Sequence, residues 1–343
     1  MEKNQTNKSK RTRKKILFNL VGFLGLVLTS ISLGVKKFQD YHQDFQTDHF
    51  GTRENPAYTV NKSINEQDTE TYSSFYGALY EKRIKDLEIA LREYKSDPKL
   101  KSNLEQLLKQ INDEDQRLME EYQLVFLRNQ DNQLNADSEN NDSVAKRAKT
   151  LFLSMTGKEY PPEIKLRLGR PIINGEEVQG GYQPTKRRIT VYPSNFEDTL
   201  LSSMHEIGHS IEAHTKDRLF GNHSYEEQLM SEASAYCFQN ASCYFEDPKT
   251  RKLMLQTHRI ELFEDVMLSS RGRKDYRIEA MILSDAATTH FGNPVTAFQY
   301  LQKTPYRELD PDILHLMQRN KSIFLRQNQL KTEAENILRA PGN

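Results

Sequence analysis

The chain has 343 residues, enough for one large domain or two smaller ones, and its formal net charge at neutral pH is zero. Residues 1–15 carry seven basic side chains and one acidic one, and no basic stripe follows them, which argues against nucleic acid as a partner. The two cysteines, Cys237 and Cys243, would lie on nearly opposite faces of a helix, so we expect neither a mutual disulfide nor a CxxC-type metal site.

Residues 16–35 form an uncharged stretch of 20 residues, ILFNLVGFLGLVLTSISLGV, directly after the basic tail. A helix of this length spans about 30 Å, the thickness of a bilayer core. The basic tail predicts that residues 1–15 stay in the cytoplasm and that the rest of the chain lies outside it. A cleaved signal peptide is the alternative, but we see no small-x-small cleavage site. The sequence therefore predicts a single-pass anchor in the cell membrane.

The region after the anchor is expected to contain a tether and a helical hairpin. Residues 36–70 are polar and irregular, which is typical of a tether. In residues 71–128 apolar side chains recur at steps of three and four, and Ser96-Asp97-Pro98 interrupts them, which predicts two antiparallel helices. We expect their apolar face to pack on itself and on the next domain; an arm that binds a protein partner is the alternative. Residues 129–142 (NQDNQLNADSENND) are predicted to be a polar linker and a domain boundary.

Residues 143–343 are predicted to form one α+β domain that is mainly helical. A helix is expected at 143–157, and residues 164–168 and 188–192 alternate like strands. Helical spacing returns at residue 249 and continues in shorter helices to about residue 336. The domain is thus expected to contain a small sheet followed by a helical C-terminal part.

A helix with the sequence MHEIGHSIEAH is expected directly after this sheet. It contains His205, Glu206 and His209 in the order HExxH. Because residues four apart share one face of a helix, the two imidazoles can bind one metal ion, while Glu206 can reach a water molecule. Apolar residues along one side of the segment predict a partly buried helix, whereas a chance motif would more often lie on an exposed one.

A catalytic zinc site needs a third protein ligand. The pattern HExxHxxGxxH does not apply, because Glu212 and Thr215 stand where it requires Gly and His. The other source is a carboxylate on a following helix, which the segment EEQLMSEASAYCFQN is predicted to form. Glu232 is preferred because small and apolar residues surround it, and Glu226 and Glu227 are the reserves.

The segments HEIGHSIEAH and SEASAY resemble the gluzincin clan of zinc metallopeptidases. His214 also matches the motif HExxHxxxxH of several membrane-bound heat-shock-type endopeptidases, and GGYQPTKRRITVYP is similar to the strand-turn-strand segment of the phage-repressor-cleaving zinc peptidases. The likeness covers roughly residues 175–245 and implies a zincin-like domain with one Zn²⁺ on the histidine pair and Glu232. Ser234 is a departure, since many relatives have an aspartate there that orients a histidine.

The resemblance implies hydrolysis of peptide bonds. Zinc would polarise the scissile carbonyl, and Glu206 would take a proton from water and pass it to the leaving amine. Residues 180–192 would align an extended peptide by main-chain hydrogen bonds, although they are equally consistent with an ordinary core hairpin. The oxyanion needs a further donor. The candidates for this donor are His223, Tyr225, Tyr236 and His290.

The sequence therefore predicts a membrane-anchored zinc endopeptidase that acts on peptides or proteins outside the cytoplasm. A catalytically inactive zincin-like binding module is the alternative, but such a module has no need for Glu206. A dedicated toxin or secretion-associated protease with a single target is a third interpretation.

Overall fold

The computed structural model describes most of the chain from residue 75 onward and a few short pieces before it. The described residues are 32, 35–37, 56–60, 75–133, 138–173, 176–177, 179–183, 186–193, 196–211, 224–251, 254 and 276–339. The chain divides into two units, residues 1–49 and residues 50–343. All elements below belong to the second unit.

Helices account for most of the described residues. The helices are α1 Phe75–Ser96, α2 Lys101–Gln133, α3 Ser138–Thr156, α4 Phe196–Ile211, α5 Tyr225–Cys243, α6 Tyr276–Phe291, α7 Pro294–Lys303 and α8 Pro311–Arg339. The strands are β1 Lys165–Leu168, β2 Ile172–Ile173, β3 Glu176–Glu177, β4 Gly180–Gln183 and β5 Arg188–Val191. The prediction of a mainly helical chain with a small sheet is therefore confirmed at this level.

The larger sheet has three strands in the order β1-β5-β4. β1 pairs with β5 in parallel, and β4 pairs with β5 in the antiparallel sense. Ile189 and Val191 of β5 are completely buried, and both β4 and β5 pack against α4. β4 lies at one edge of this sheet among the described strands, beside the helix that contains the HExxH motif.

The central helix of the unit is α5, which packs against α4, α6 and α7. It begins with a capping box, in which the Ser224 hydroxyl accepts from the Glu227 N–H and the Glu227 carboxylate accepts from the Ser224 N–H. Gly208 of α4 lies against it so closely that a Cβ at this position would be 3.1 Å from the Cα of Ala235. Small residues at this crossing therefore set the short distance between α4 and α5.

The residues of the predicted hairpin form α1 and α2, which Asp97 and Pro98 join. The Asp97 carboxylate accepts from the N–H of Lys99, and Pro98 occupies the first turn of a short 3₁₀ helix. Both helices share an apolar core with α8. This core includes Leu87, Leu91, Leu104, Leu108, Ile111, Leu330 and Ala334. The hairpin thus packs on another part of the same unit.

Helices α1 and α8 run parallel to each other in a constant register. Three ion pairs join partners that are each 238 residues apart, namely Glu81–Arg319, Glu88–Arg326 and Lys95–Glu333. Both members advance by seven residues from one pair to the next. This is the heptad step of a coiled coil, in which charged flanking positions fix the alignment of the helices.

The predicted linker at 129–142 is largely helical instead. α2 continues to Gln133 and α3 already begins at Ser138. Asn and Asp lower helix stability by only about 0.7 kcal/mol each, and extension of an existing helix needs no new nucleus. Polar composition alone was therefore a poor boundary signal, and the whole of residues 50–343 forms one unit.

Part of the predicted tether, residues 56–60, is packed into the folded unit. Tyr58 and Val60 are buried, and the Tyr58 ring lies 5.1 Å from the ring of Phe152 in α3. The Gln299 side chain of α7 donates to the Val60 carbonyl at 2.6 Å. Five residues of the expected tether therefore pack on α3 and α7.

No described helix combines the length and the apolar character needed to cross a membrane. The predicted anchor, residues 16–35, lies almost entirely outside the described residues, as does the basic tail. The anchor therefore stays a prediction.

Candidate metal centre

The crossing of α4 and α5 brings together the three side chains that the sequence suggested as ligands. His205 and His209 project from α4, and Glu232 projects from α5. The Nε2 atoms of the two histidines are 3.0 Å apart. Glu232 Oε2 lies 3.2 Å from Nε2 of His205 and 3.5 Å from Nε2 of His209. The three atoms form a nearly equilateral triangle.

This triangle has the dimensions of a zinc site. Tetrahedral zinc with ligands at the usual distances places neighbouring ligand atoms about 3.3 Å apart. The three separations, from 3.0 to 3.5 Å, bracket that value. Two imidazoles and one carboxylate are a familiar donor set of catalytic zinc, and three protein ligands leave a fourth coordination position open. The group therefore fits zinc in both geometry and chemistry.

The other ring nitrogen of each histidine is held by a neutral side chain from α5. His205 Nδ1 lies 3.1 Å from Gln239 Oε1, and His209 Nδ1 lies 3.0 Å from the Ser231 hydroxyl. Because an amide oxygen only accepts, Nδ1 of His205 is the donor there, which leaves the Nε2 lone pair for the metal side. These two contacts fix the rings.

Gln239 and Ser231 were missed by the sequence prediction, which looked for an orienting group at position 234. Ser234 is buried, and its hydroxyl has no hydrogen-bond partner among the described residues. The sequence did contain a signal for Gln239. Residues seven apart lie on the same face of a helix, and Gln239 follows Glu232 by seven residues. An amide at that spacing could have been proposed as the partner of His205.

The glutamate and the histidines of the group shift each other's pKa values. Burial alone would lower the pKa of His205, but its hydrogen bond to Glu232 and the carboxylate charge outweigh burial and raise it. For Glu232, burial favours a higher pKa, yet the charge of His209 and the hydrogen bonds from both imidazoles lower it well below the usual range. The carboxylate is therefore kept ionised, as a cation ligand must be.

Glu206 is not part of the triangle of ligand atoms. It is buried, and its carboxylate lies against the edge strand β4. A Cβ placed on Gly180 of that strand would be only 2.7 Å from Glu206 Oε1. The HExxH glutamate therefore packs against β4, the strand at one end of the described three-stranded sheet.

Glu226 and Glu227, the reserve candidates for the third ligand, contact other residues. Glu226 forms an ion pair with Arg307 at 3.3 Å, and Glu227 caps the first turn of α5. Neither belongs to the ligand group, which within the described chain contains only the two histidines and Glu232.

The four candidates for the oxyanion donor differ in their placement. The Tyr236 ring lies 4.6 Å from the ring of His205, measured between centroids. Tyr225 is half exposed at the start of α5, and His290 pairs with Asp310 at 3.8 Å. His223 lies outside the described residues. Tyr236 is thus the described candidate that touches a ligand of the site.

The two cysteines do not take part in the centre. Both are buried, and no disulfide joins them. Burial raises the pKa of the Cys237 thiol to about 12, so this thiol stays protonated at neutral pH. Its Sγ lies 3.8 Å from the carbonyl of Ser284.

Comparison of the chain with protein-family models, with curated proteins and with solved structures gives no match. The likeness to gluzincins therefore depends on the residues of the centre themselves.

Proposed function

We propose that the chain is a gluzincin-like, zinc-dependent endopeptidase that holds one zinc ion with His205, His209 and Glu232. The observation that carries this proposal is the convergence of their three ligand atoms at 3.0 to 3.5 Å. Two further contacts, from Gln239 and Ser231, hold the rings in the orientation that such an ion needs. A chance HExxH sequence would not be expected to have a partly buried glutamate from another helix beside both histidines.

In this proposal Glu206 is the general base. A bound zinc ion supplies Lewis acidity, which polarises a peptide carbonyl and lowers the pKa of water. Glu206 accepts a proton from the attacking water molecule and donates it to the leaving amine. Glu206 is buried, and it follows the proposed ligand His205 directly on α4.

The open edge of β4 is the proposed binding place for the peptide. The N–H of Tyr192, directly after β5, donates to the Gln179 carbonyl. In an antiparallel pair the main-chain groups of successive residues point alternately toward the partner strand and away from it, so those of residue 179 point toward β5 and those of Gly180 point away. The N–H and C=O of Gly180 therefore point to the side of β4 on which no described strand pairs. An extended peptide can pair with these groups by adding a strand. Gly180 is also the residue beside the Glu206 carboxylate, which favours a peptide backbone as the substrate.

We also propose that residues 16–35 anchor the chain in the cell membrane, with residues 50–343 outside the cytoplasm. The support is the uncharged 20-residue stretch behind seven basic side chains. The full chain should remain in carbonate-washed membranes, and a variant without residues 1–35 should be released. Release of the full chain by carbonate would contradict the anchor.

The peptidase proposal is tested with Glu206→Gln and an unbiased peptide library. Wild type should cleave peptides, lose activity to a chelator and regain it with zinc. Glu206→Gln should lose about 10²- to 10⁴-fold in kcat, the usual contribution of a general base, while it still binds one zinc per chain. Glu197→Gln, in the first turn of the same helix, is the matched control and should retain activity. Full activity of Glu206→Gln, or of the chelated wild type, would refute the proposal.

A further inference from the structure

Gly180 lies closer to the proposed general base than any residue with a side chain could. A Cβ built on Gly180 would be 2.7 Å from Oε1, 3.0 Å from Cγ and 3.1 Å from Cδ of Glu206. Real Cβ atoms almost never come within 3.0 Å of another heavy atom, so the Glu206 side chain occupies the space that a methyl group at 180 would fill.

The backbone at Gly180 does not itself require glycine. The positive-φ glycines of the described chain are Gly157 and Gly292. An alanine could therefore adopt the strand conformation of Gly180, and the constraint at this position is space alone. The atoms in its way belong to the end of a flexible side chain. A methyl group would push the carboxylate aside and leave the strand in place.

Two other glycines of the described chain, Gly169 and Gly208, meet different neighbours. A Cβ on Gly169, at the end of β1, would contact only the Thr190 methyl group at 3.7 Å, an ordinary van der Waals distance. A Cβ on Gly208 would press on the backbone of Ala235 and thus on the packing of α4 against α5. Of these three glycines, Gly180 is the one whose missing side chain leaves space for Glu206, the proposed general base.

We propose that Gly180 is a positioning residue, whose lack of a side chain lets the Glu206 carboxylate rest against the edge strand beside the bound peptide. This inference depends on the proposed peptidase function. The N–H and C=O of residue 180 are unchanged by an alanine, so peptide binding at the edge is preserved. An alanine at position 180 would instead displace the Glu206 carboxylate, the proposed proton acceptor.

The test compares Gly180→Ala with Gly169→Ala in the full chain. Gly180→Ala should lower kcat about 100-fold, the scale of an ångström misplacement of a catalytic group. Its KM, zinc content and melting temperature should stay close to those of wild type. Gly169→Ala should match wild type in all four measurements. A Gly180→Ala variant within about twofold of wild type in kcat, or one that loses zinc or its fold, would overturn the inference.

A double-mutant cycle with Glu206→Asp distinguishes placement of the carboxylate from a general effect on the sheet. Aspartate is one methylene shorter and leaves room for the alanine methyl group. Gly180→Ala should therefore lower kcat much less in the Glu206→Asp background than in wild type. Equal losses in both backgrounds would overturn the inference while leaving the peptidase proposal intact. A wild type that binds zinc but cleaves no peptide would instead refute the proposed function, and this inference with it.

Discussion

The histidines of the centre are held by an amide and a hydroxyl, where many zinc sites use carboxylates. Gln239 accepts from His205 and Ser231 contacts His209, both on Nδ1. A neutral partner fixes the tautomer and the ring plane without adding negative charge next to the metal. Glu232 would then be the single anionic side chain among the three proposed ligands.

Gln239→Ala should weaken zinc binding, because it frees the His205 ring and its tautomer. Loss of such a partner typically lowers metal affinity about 10- to 100-fold. Competition with a chromogenic chelator measures the change. Ser234→Ala is the matched control, since Ser234 is buried on the same helix and its hydroxyl has no partner among the described residues. Equal affinities of the two variants would exclude an orienting role for Gln239.

Side chains within one helix were easier to predict from the sequence than contacts between elements. The spacing of His205 and His209 follows from the helical repeat alone. The choice of Glu232 over its neighbours needed only the apolar surroundings of that segment. The contacts of Gln239 with His205 and of Gly180 with Glu206 depend on how α5 and β4 approach α4, which no local pattern reports.

Among the helices, the most buried ion pairs join α1, α2 and α8. Arg83 of α1 donates to Asp115 of α2 at 2.8 Å, and Lys331 of α8 donates to the other oxygen of that carboxylate at 2.8 Å. Both Arg83 and Asp115 are buried. One carboxylate thus connects the neighbouring helices α1 and α2 with α8, whose Lys331 lies 216 residues further along the chain.

Asp115→Ala should destabilise the fold by about 3 kcal/mol, because it leaves a buried guanidinium without its main partner. Glu88→Ala removes an exposed pair between α1 and α8 and should cost less than about 1 kcal/mol. Urea denaturation of both variants measures the difference. Similar free energies of unfolding for the two would show that the buried network contributes no more than a surface pair.

The two strands expected at 164–168 and 188–192 match β1 and β5 within one residue, whereas the start of α3 and the linker at 129–142 do not match the prediction. The alternation of residues 188–192 reflects a half-buried sheet and matches β5, Arg188–Val191. The polar stretch 129–142 carries no such pattern. Its helical content is set by the helices on either side, α2 and α3, and composition does not reveal that.

For the whole molecule, the part of the chain that carries His205, His209 and Glu232 packs against residues before residue 143. Residues 56–60 pack on α3 and α7, and α8 completes its core with α1 and α2. The sequence placed a domain boundary at 129–142, because local patterns do not show that α8 returns to α1 across more than two hundred residues.

A fragment of residues 143–343 should therefore fail to fold cooperatively, since it exposes the apolar face of α8 around Leu330 and Ala334. A fragment of residues 50–343, the complete second unit, should fold and bind zinc. Thermal denaturation followed by circular dichroism compares the two. A cooperative transition and full zinc content in the shorter fragment would show that the helices before residue 143 are dispensable.

The zinc content of Glu232→Ala beside that of Glu226→Ala tests the central claim most directly. Glu226 lies on the same helix but pairs with Arg307, so it controls for the loss of a carboxylate. Metal analysis after dialysis should find one zinc per chain in wild type and in Glu226→Ala, and far less in Glu232→Ala. Zinc retained at wild-type affinity by Glu232→Ala, or absent from the wild type, would contradict a centre built from these three side chains.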